Sequence, residues 1–538
     1  MRQEKTKEVM FPKRLKGCHF ILFNLTLGLG HILVMFNAGS YVALLPHVAG
    51  DLEGVLPSFL TWAQTDFMIA LALGLPIGRI MADRFGNYRV FIGAFVVYAI
   101  ASYLGGISQT HWEFLNARIL QGFTGGLTIF LGQDLLLCEY PDRLKSLGLT
   151  IWGLLTITPF TVGLPVGGWI ADDLGWRYLF YMDVVLSLVV VGFMGSLLYG
   201  RGFHRKRIRF DFVGFSLLAV ILAGIQTLLN MGNDFDWLDS PFLRGVLIVV
   251  IVAFPCFVIW ELGERDPILD LRLFADRNFT IGLICLVVGF FSIQGLLTLL
   301  IVQLQLLMGY SSLLAGLVFL PMILLGAPMI AVMHELSKRV DVRLLVCLNF
   351  LGFALTLGWI GRYDDPHSFD QIFWPILLEG FFLGSFFTPL TVLTLHRLSG
   401  VQVIRAAEAA NLLRIAAGGF GITFQGVVLF RRLPFHQLHL ANHFGGRQFA
   451  SFDVLGGIST KLEGAGLGSA MVNGKLLALM KQYAGILAMS DAFLLASYMF
   501  LGLAALVWLA HPTQLALHPN LEKEVLEMRV EELMEEPL

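Results

Sequence analysis

Charge is what this chain has least of. Only 14% of its 538 residues are Asp, Glu, Lys or Arg, against about a quarter in soluble domains, which excludes an ordinary water-soluble globule. The net charge of -2 leaves no basic footprint for nucleic acid. Cysteine is scarce as well. Cys18, Cys138, Cys256, Cys285 and Cys347 form no Cys-x-x-Cys pair, which argues against a disulfide framework and against a thiolate metal site. No Gly-x-x-x-x-Gly-Lys-Ser/Thr is present, so no P-loop in this chain delivers the energy of ATP. No Ser–His or His-Glu-x-x-His arrangement suggests catalysis, and neither an enzyme nor a cofactor is expected. His436, His439 and His443 would share one helical face, but no acidic or cysteine ligand accompanies them, and no metal is expected.

Apolar residues abound instead: 56% of the chain is hydrophobic, with a mean hydropathy of +0.74, forty-five Phe and fifty-seven Gly. Fourteen apolar runs have the ~20 residues that cross a hydrocarbon core. They lie near 20–43, 58–79, 90–108, 112–137, 148–171, 178–199, 212–231, 242–260, 279–301, 313–334, 344–361, 372–395, 406–430 and 490–511. Arg2, Lys5, Lys7, Lys13, Arg14 and Lys16 precede the first run without a small-residue cleavage site, which reads as a retained cytoplasmic terminus. That orientation places most of the thirty-seven Lys and Arg on the cytoplasmic side. The even span count then returns the C-terminus there. The expected fold is an all-α membrane protein embedded in a lipid bilayer.

The expected organisation is a cytoplasmic N-terminus (1–19), a six-helix bundle (20–199), a basic connector with two added spans (200–278), a second six-helix bundle (279–511) and an acidic cytoplasmic tail (512–538). The second bundle includes a long outer loop, 431–489, expected to hold a surface-lying helix or hairpin. An internal echo links Gln121-Gly122-Phe123-Thr124-Gly125-Gly126 to Glu379-Gly380-Phe381-Phe382-Leu383-Gly384, and repeated halves are a common plan of secondary transporters.

Between the second and third runs lies Gly78-Arg79-Ile80-Met81-Ala82-Asp83-Arg84-Phe85-Gly86-Asn87-Tyr88-Arg89. An ordinary positive-inside loop needs the arginines, but not the ordered set Gly78, Asp83, Arg84, Gly86 and Arg89. This pattern closely resembles the loop between helices two and three of the major facilitator superfamily. Arg118 to Gly126 looks like the fourth-helix motif, whose Arg supports proton coupling in that family. Gly163-Leu164-Pro165-Val166-Gly167-Gly168 resembles the antiporter motif of helix five, with Pro165 one residue later than usual. Gly175 to Phe180, Leu304 to Ser311 and Ala410 to Arg414 extend the likeness to the 14-spanner drug:proton antiporters, the EmrB-like branch, over about residues 20–511.

That resemblance implies two six-helix bundles with two extra helices in a bacterial inner membrane. It also implies proton-coupled efflux of hydrophobic or amphipathic small molecules, with a periplasmic adaptor and an outer-membrane channel as potential partners. A dedicated exporter of one metabolite, siderophore or lipid, and a non-transporting scaffold or receptor, are the alternatives. Ionisable groups inside spans are costly and therefore functional candidates. Asp66, Arg118, Glu379, Asp134 and Arg414 are the proton-coupling candidates, with Asp134 and Asp183 nearer the span ends, where water reaches them more easily. Asn37, Trp62, Asp66, Gln121, Phe381 and Phe387 are the cavity candidates. In the relatives the first span carries an acid where this chain has Asn37, which cannot titrate. Asp66 is the expected site of the displaced carboxyl, Glu379 the second. Asp83 is expected to latch one access state.

Overall fold

A computed structural model describes residues 17–52, 59–140, 145–198, 210–363, 369–444 and 469–513, with Leu15 and a few isolated positions between 457 and 464. The described residues form α-helices joined by short turns. In order they are α1 (Cys18–Asp51), α2 (Phe59–Phe85), α3 (Asn87–Ile107), α4 (His111–Glu139), α5 (Lys145–Trp169), α6 (Arg177–Leu198), α7 (Phe212–Met231) and α8 (Pro241–Gly263). There follow α9 (Arg277–Leu306), α10 (Ser312–Leu317), α11 (Pro321–Leu336), α12 (Val342–Ile360), α13 (Phe369–Gly384), α14 (Phe387–Leu395), α15 (Val401–Phe444) and α16 (Ser469–Leu506). Thirteen segments among the described residues are long and apolar enough to span a membrane. The fourteenth expected span is α4. Its charges Glu113, Arg118, Asp134 and Glu139 interrupt the apolar run, yet it packs between α2 and α3.

Proline sets two breaks that hydropathy does not show. Pro321 and Pro389 lack the N–H that would continue the helix, so the tenth span divides into α10 and α11 and the twelfth into α13 and α14. The twelve-residue motif between spans two and three is almost all helix. α2 runs to Phe85 and α3 begins at Asn87, leaving Gly86 alone at φ 93°, a backbone region that glycine enters without strain. Of the outer segment 431–489, the described stretches 431–444 and 469–489 continue the helices of the last two spans, and most of 445–468 lies outside the described residues. α15 has 44 residues, about 66 Å at ~1.5 Å each, roughly twice the ~30 Å hydrocarbon thickness. Residues 1–14, the connector 201–209 and the tail 514–538 lie outside the described residues.

Two groups of helices form. α1 packs on α5 and α6, α4 on α2 and α3, and α3 on α6. α9 packs on α14 and α15, α12 on α13 and α16, and α11 on α13. The internal echo is structural. A Cβ on Gly122 or Gly126 of α4 would strike the carbonyl oxygen of Phe67 or Leu71 on α2. A Cβ on Gly380 or Gly384 of α13 would strike that of Met322 or Gly326 on α11. Each half thus holds two helices at backbone contact through glycines four residues apart.

The halves meet along two seams. At one, Gly168 of α5 abuts the backbone of Ser312, and Gly316 of α10 abuts Leu164 and Pro165. Asp172 caps this junction by accepting from the amides of Ser312 (3.2 Å) and Leu313 (2.9 Å). Gly163 and Gly167 press on Ser40 of α1, so the whole helix-five motif is a packing surface. At the other seam α2 meets α15, where Arg79 Nε lies 3.3 Å from Glu408 Oε1. The added pair α7–α8 joins this second seam, with α7 touching both α2 and α15.

Candidate functional site

Arg118 is the largest fully buried side chain among the described residues. It enters the first half from α4, whose start is fixed by a capping box: Glu113 N donates to Thr110 Oγ1 and Thr110 N to Glu113 Oε2, both at 3.3 Å. Two turns inside, Arg118 Nη1 donates to Asn37 Oδ1 of α1 and to Gln121 Oε1, each at 2.7 Å. Its Nη2 donates to Gln64 Oε1 of α2 (3.1 Å), and its Nε to the Ala63 carbonyl (3.4 Å). The guanidinium plane is sandwiched by Tyr41 and Phe67, 4.2 and 4.3 Å from their ring centroids. Flat aromatic faces and carbonyl-type acceptors are what this weakly hydrated planar cation accepts in place of water.

Both amides continue to one carboxyl. Asn37 Nδ2 donates to Asp183 Oδ2 of α6 at 2.6 Å, and Gln121 Nε2 donates to the same oxygen at 3.2 Å. Arg118 and Asp183 are therefore joined by two parallel amide bridges rather than in direct contact. Asp183 Oδ1 is buried with no hydrogen-bond partner among the described residues. A change in charge at Asp183 acts on both bridges together, and so on α1, α4 and α6 at once.

The candidates separate in space. Asn37, Arg118 and Gln121 share this cluster. Asp66 does not: it faces α7, where Asn230 Nδ2 donates to its Oδ1 at 3.4 Å. Trp62 is buried nearby, its Nε1 donating to the Asn230 carbonyl at 3.3 Å. Gln226 Nε2 of α7 also donates to Thr423 Oγ1 of α15 (2.7 Å), and Thr423 Oγ1 to Asn230 Oδ1 (3.0 Å). The added helix thus has polar bonds to both halves. Asp134 accepts from Asn87 Nδ2 and belongs to the α2–α3 turn. In that motif Gly78 lies against Leu127 of α4, and Arg84 stands over Phe85. Glu379 is buried in the second half, in a small apolar cavity lined by Ile293, Leu297, Met322, Phe353, Leu383 and Phe493; its Oε1 has no hydrogen-bond partner among the described residues. Phe381 packs edge-on to Phe382. Arg414 sits between Phe290 and Phe387, 5.0 Å from each centroid. His436 Nε2 and Arg432 Nε both hold Asp491 Oδ2 of α16, at 2.6 and 2.5 Å.

Asp183 is fully buried, contrary to its expected access to water. It lies only six residues past the start of α6, which suggests a wet helix end. The packing of α1, α3 and α4 around that end seals it, and no one-dimensional pattern carries that information. Gln64, Gln226, Asn230 and Thr423 were not singled out because neutral polar residues in apolar runs are common.

These features have counterparts in known proteins. The model of the Major Facilitator Superfamily matches residues 27–422. The chain belongs to that superfamily. It is 31% identical over 498 residues to the fatty acid resistance protein FarB of Neisseria gonorrhoeae, covering 93% of this chain and 97% of FarB. It is 29% identical over 504 residues to the multidrug export protein EmrB of Escherichia coli K12, with 93% and 97% covered. Among solved structures it is similar to an auto-inhibited POT family peptide transporter, with a TM-score of 0.58, 13% identity, and 90% and 96% covered. That last likeness concerns the superfamily fold alone. The all-helical major facilitator fold expected from the sequence is the fold observed, and the chain is a multi-pass membrane protein.

Proposed function

We propose that this superfamily member is a proton-coupled exporter of hydrophobic or amphipathic small molecules, with Asp183 carrying the proton. The observation that carries the reading is the doubly bridged Arg118–Asp183 pair. In its charged form Asp183 accepts from Asn37 and Gln121, which present their carbonyl oxygens to Arg118. Protonation removes the negative end of both bridges, so the relative set of α1, α4 and α6 responds to proton occupancy. Asn37 keeps the place of the family's first-span acid, now as a relay. The likeness to the multidrug export protein EmrB, matched almost end to end, supports export as the direction, and the excess of Lys and Arg on one side supports a bacterial inner membrane with both termini in the cytoplasm. The helical arms of α15 and α16 beyond the span offer a place for a periplasmic adaptor.

The test is transport of a compound panel in everted vesicles, with and without a proton uncoupler, for wild type and Asp183→Asn. Export that collapses with the uncoupler, and is lost in the variant at normal expression, is expected. Gradient-driven export that Asp183→Asn leaves unchanged would assign the proton elsewhere, to Asp66 or Glu379.

A further inference from the structure

Arg414 is a cation inside a span that no described residue neutralises. Among the described residues its only side-chain hydrogen bond donates from Nη2 to Asn411 Oδ1 at 3.3 Å, and no carboxylate lies within ion-pair distance. Its neighbours along the same helix differ. Arg405 is paired with Asp266 and Asp270, Arg432 with Asp491, and Glu408 with Arg79. Asn411, Arg414 and Gly418 share one face of α15 by their i, i+3, i+7 spacing. Gly418 abuts Met68 of α2 and Phe290 of α9, so this face looks onto the junction of the two halves. Arg414 is partly exposed there and Asn411 exposed.

An unpaired guanidinium against apolar walls is poorly compensated. The two phenylalanine faces, 5.0 Å away, offset only part of that cost. What remains is a deficit that a negative charge at this point would remove. A carboxylate fits the planar fork in two-point fashion, the Asn411 amide can add a donor, and Phe290 and Phe387 form apolar walls for an attached tail.

We propose that Arg414 is the headgroup site for an anionic amphiphile, a carboxylate on an apolar tail, in the transport path between the halves. This rests on the exporter reading above and gives it a charge preference. Cationic amphiphiles of the same tail are disfavoured at this point by like charge.

Binding of labelled dodecanoate to purified protein in nanodiscs, without a gradient, tests it. Unlabelled dodecanoate should compete at least tenfold better than dodecanol, and dodecyltrimethylammonium should compete least. Arg414→Gln should lower dodecanoate affinity at least tenfold and abolish the preference over dodecanol, while Arg414→Lys retains part of it. A melting curve establishes that each variant is folded, and Phe387→Ala, which keeps the charge, should weaken all three amphiphiles alike. Replacing chloride by gluconate should leave the affinity of wild type unchanged. Equal dodecanoate affinity in wild type and Arg414→Gln, or competition by chloride alone, overturns the proposal. Asp183→Asn should still bind dodecanoate, so failure of the coupling reading and failure of this one give different results.

Discussion

The amide bridges make a swap of charge between two helices testable. In Asn37→Asp, a carboxylate oxygen takes the place of Nδ2, 2.6 Å from Asp183 Oδ2. Two full charges at that separation repel by about 6 kcal/mol at an effective dielectric of ~20, so the pair holds one proton between them and cannot cycle as a single acid does. Asp183→Asn alone removes the negative partner of a buried cation, a change costing roughly 3–5 kcal/mol when a buried pair is broken. The lower end applies here because the bridges spread the interaction over two amides. In the double variant Asn37→Asp/Asp183→Asn, the carboxylate stands where Asn37 Oδ1 accepts from Arg118 at 2.7 Å, and the amide introduced on α6 takes over the neutral role. Uncoupler-sensitive export should be lost in each single variant and recovered in the double. The recovery should exceed the product of the single effects by about a hundredfold, ~3 kcal/mol of coupling. A double variant that is folded yet as inactive as Asp183→Asn would show that Asn37 is not part of a charge relay.

The packing of the halves gives two further expectations. Glu408→Gln removes the cross-half partner of Arg79 in a setting less than one-third exposed, and should shift the access equilibrium by about 1–3 kcal/mol toward separation of α2 and α15. Raised alkylation of a cysteine introduced at Ala82 reports that shift, and an unchanged rate argues against a latch. Gly122→Ala and Gly380→Ala should each lower stability by about 1–3 kcal/mol through overpacking, read as a lower melting temperature in detergent, whereas Gly93→Ala, which meets open space, should not.

Much of the fold was legible because lipid imposes a one-dimensional rule: an apolar run of fixed length must be a helix. Each expected span is matched by a helix, or by a pair broken at Pro321 or Pro389. The length of α15 was hidden because its outer part is amphipathic, like a surface loop. Arg118 and Gln121 were legible as site residues, being polar on one helix face. The missing charge of Asn37 pointed toward a replacement, and the acid of the second span, Asp66, is the one the sequence offers. The bundle also brings Asp183, 146 positions away, against Asn37. Only closure of α1 on α6 brings that second acid to the cluster.

The added helix α7 has a consequence for how the halves part. It is bonded to α2 on one side and to α15 on the other, and these belong to different halves, so no rocking motion can preserve both attachments. The bonds toward α15 are short, 2.7 Å to Thr423 and 3.0 Å from it. Those toward α2 are long, 3.3 Å from Trp62, 3.5 Å to Thr65 and 3.4 Å to Asp66, where hydrogen bonding is already weak. The insertion is therefore expected to move with the second half. In the exporter proposed above, parting of the halves would separate the polar side chains of α2 from α7 and uncover Asp66, and a chain trimmed back to twelve spans would leave Thr65, Asp66 and Thr423 without these partners.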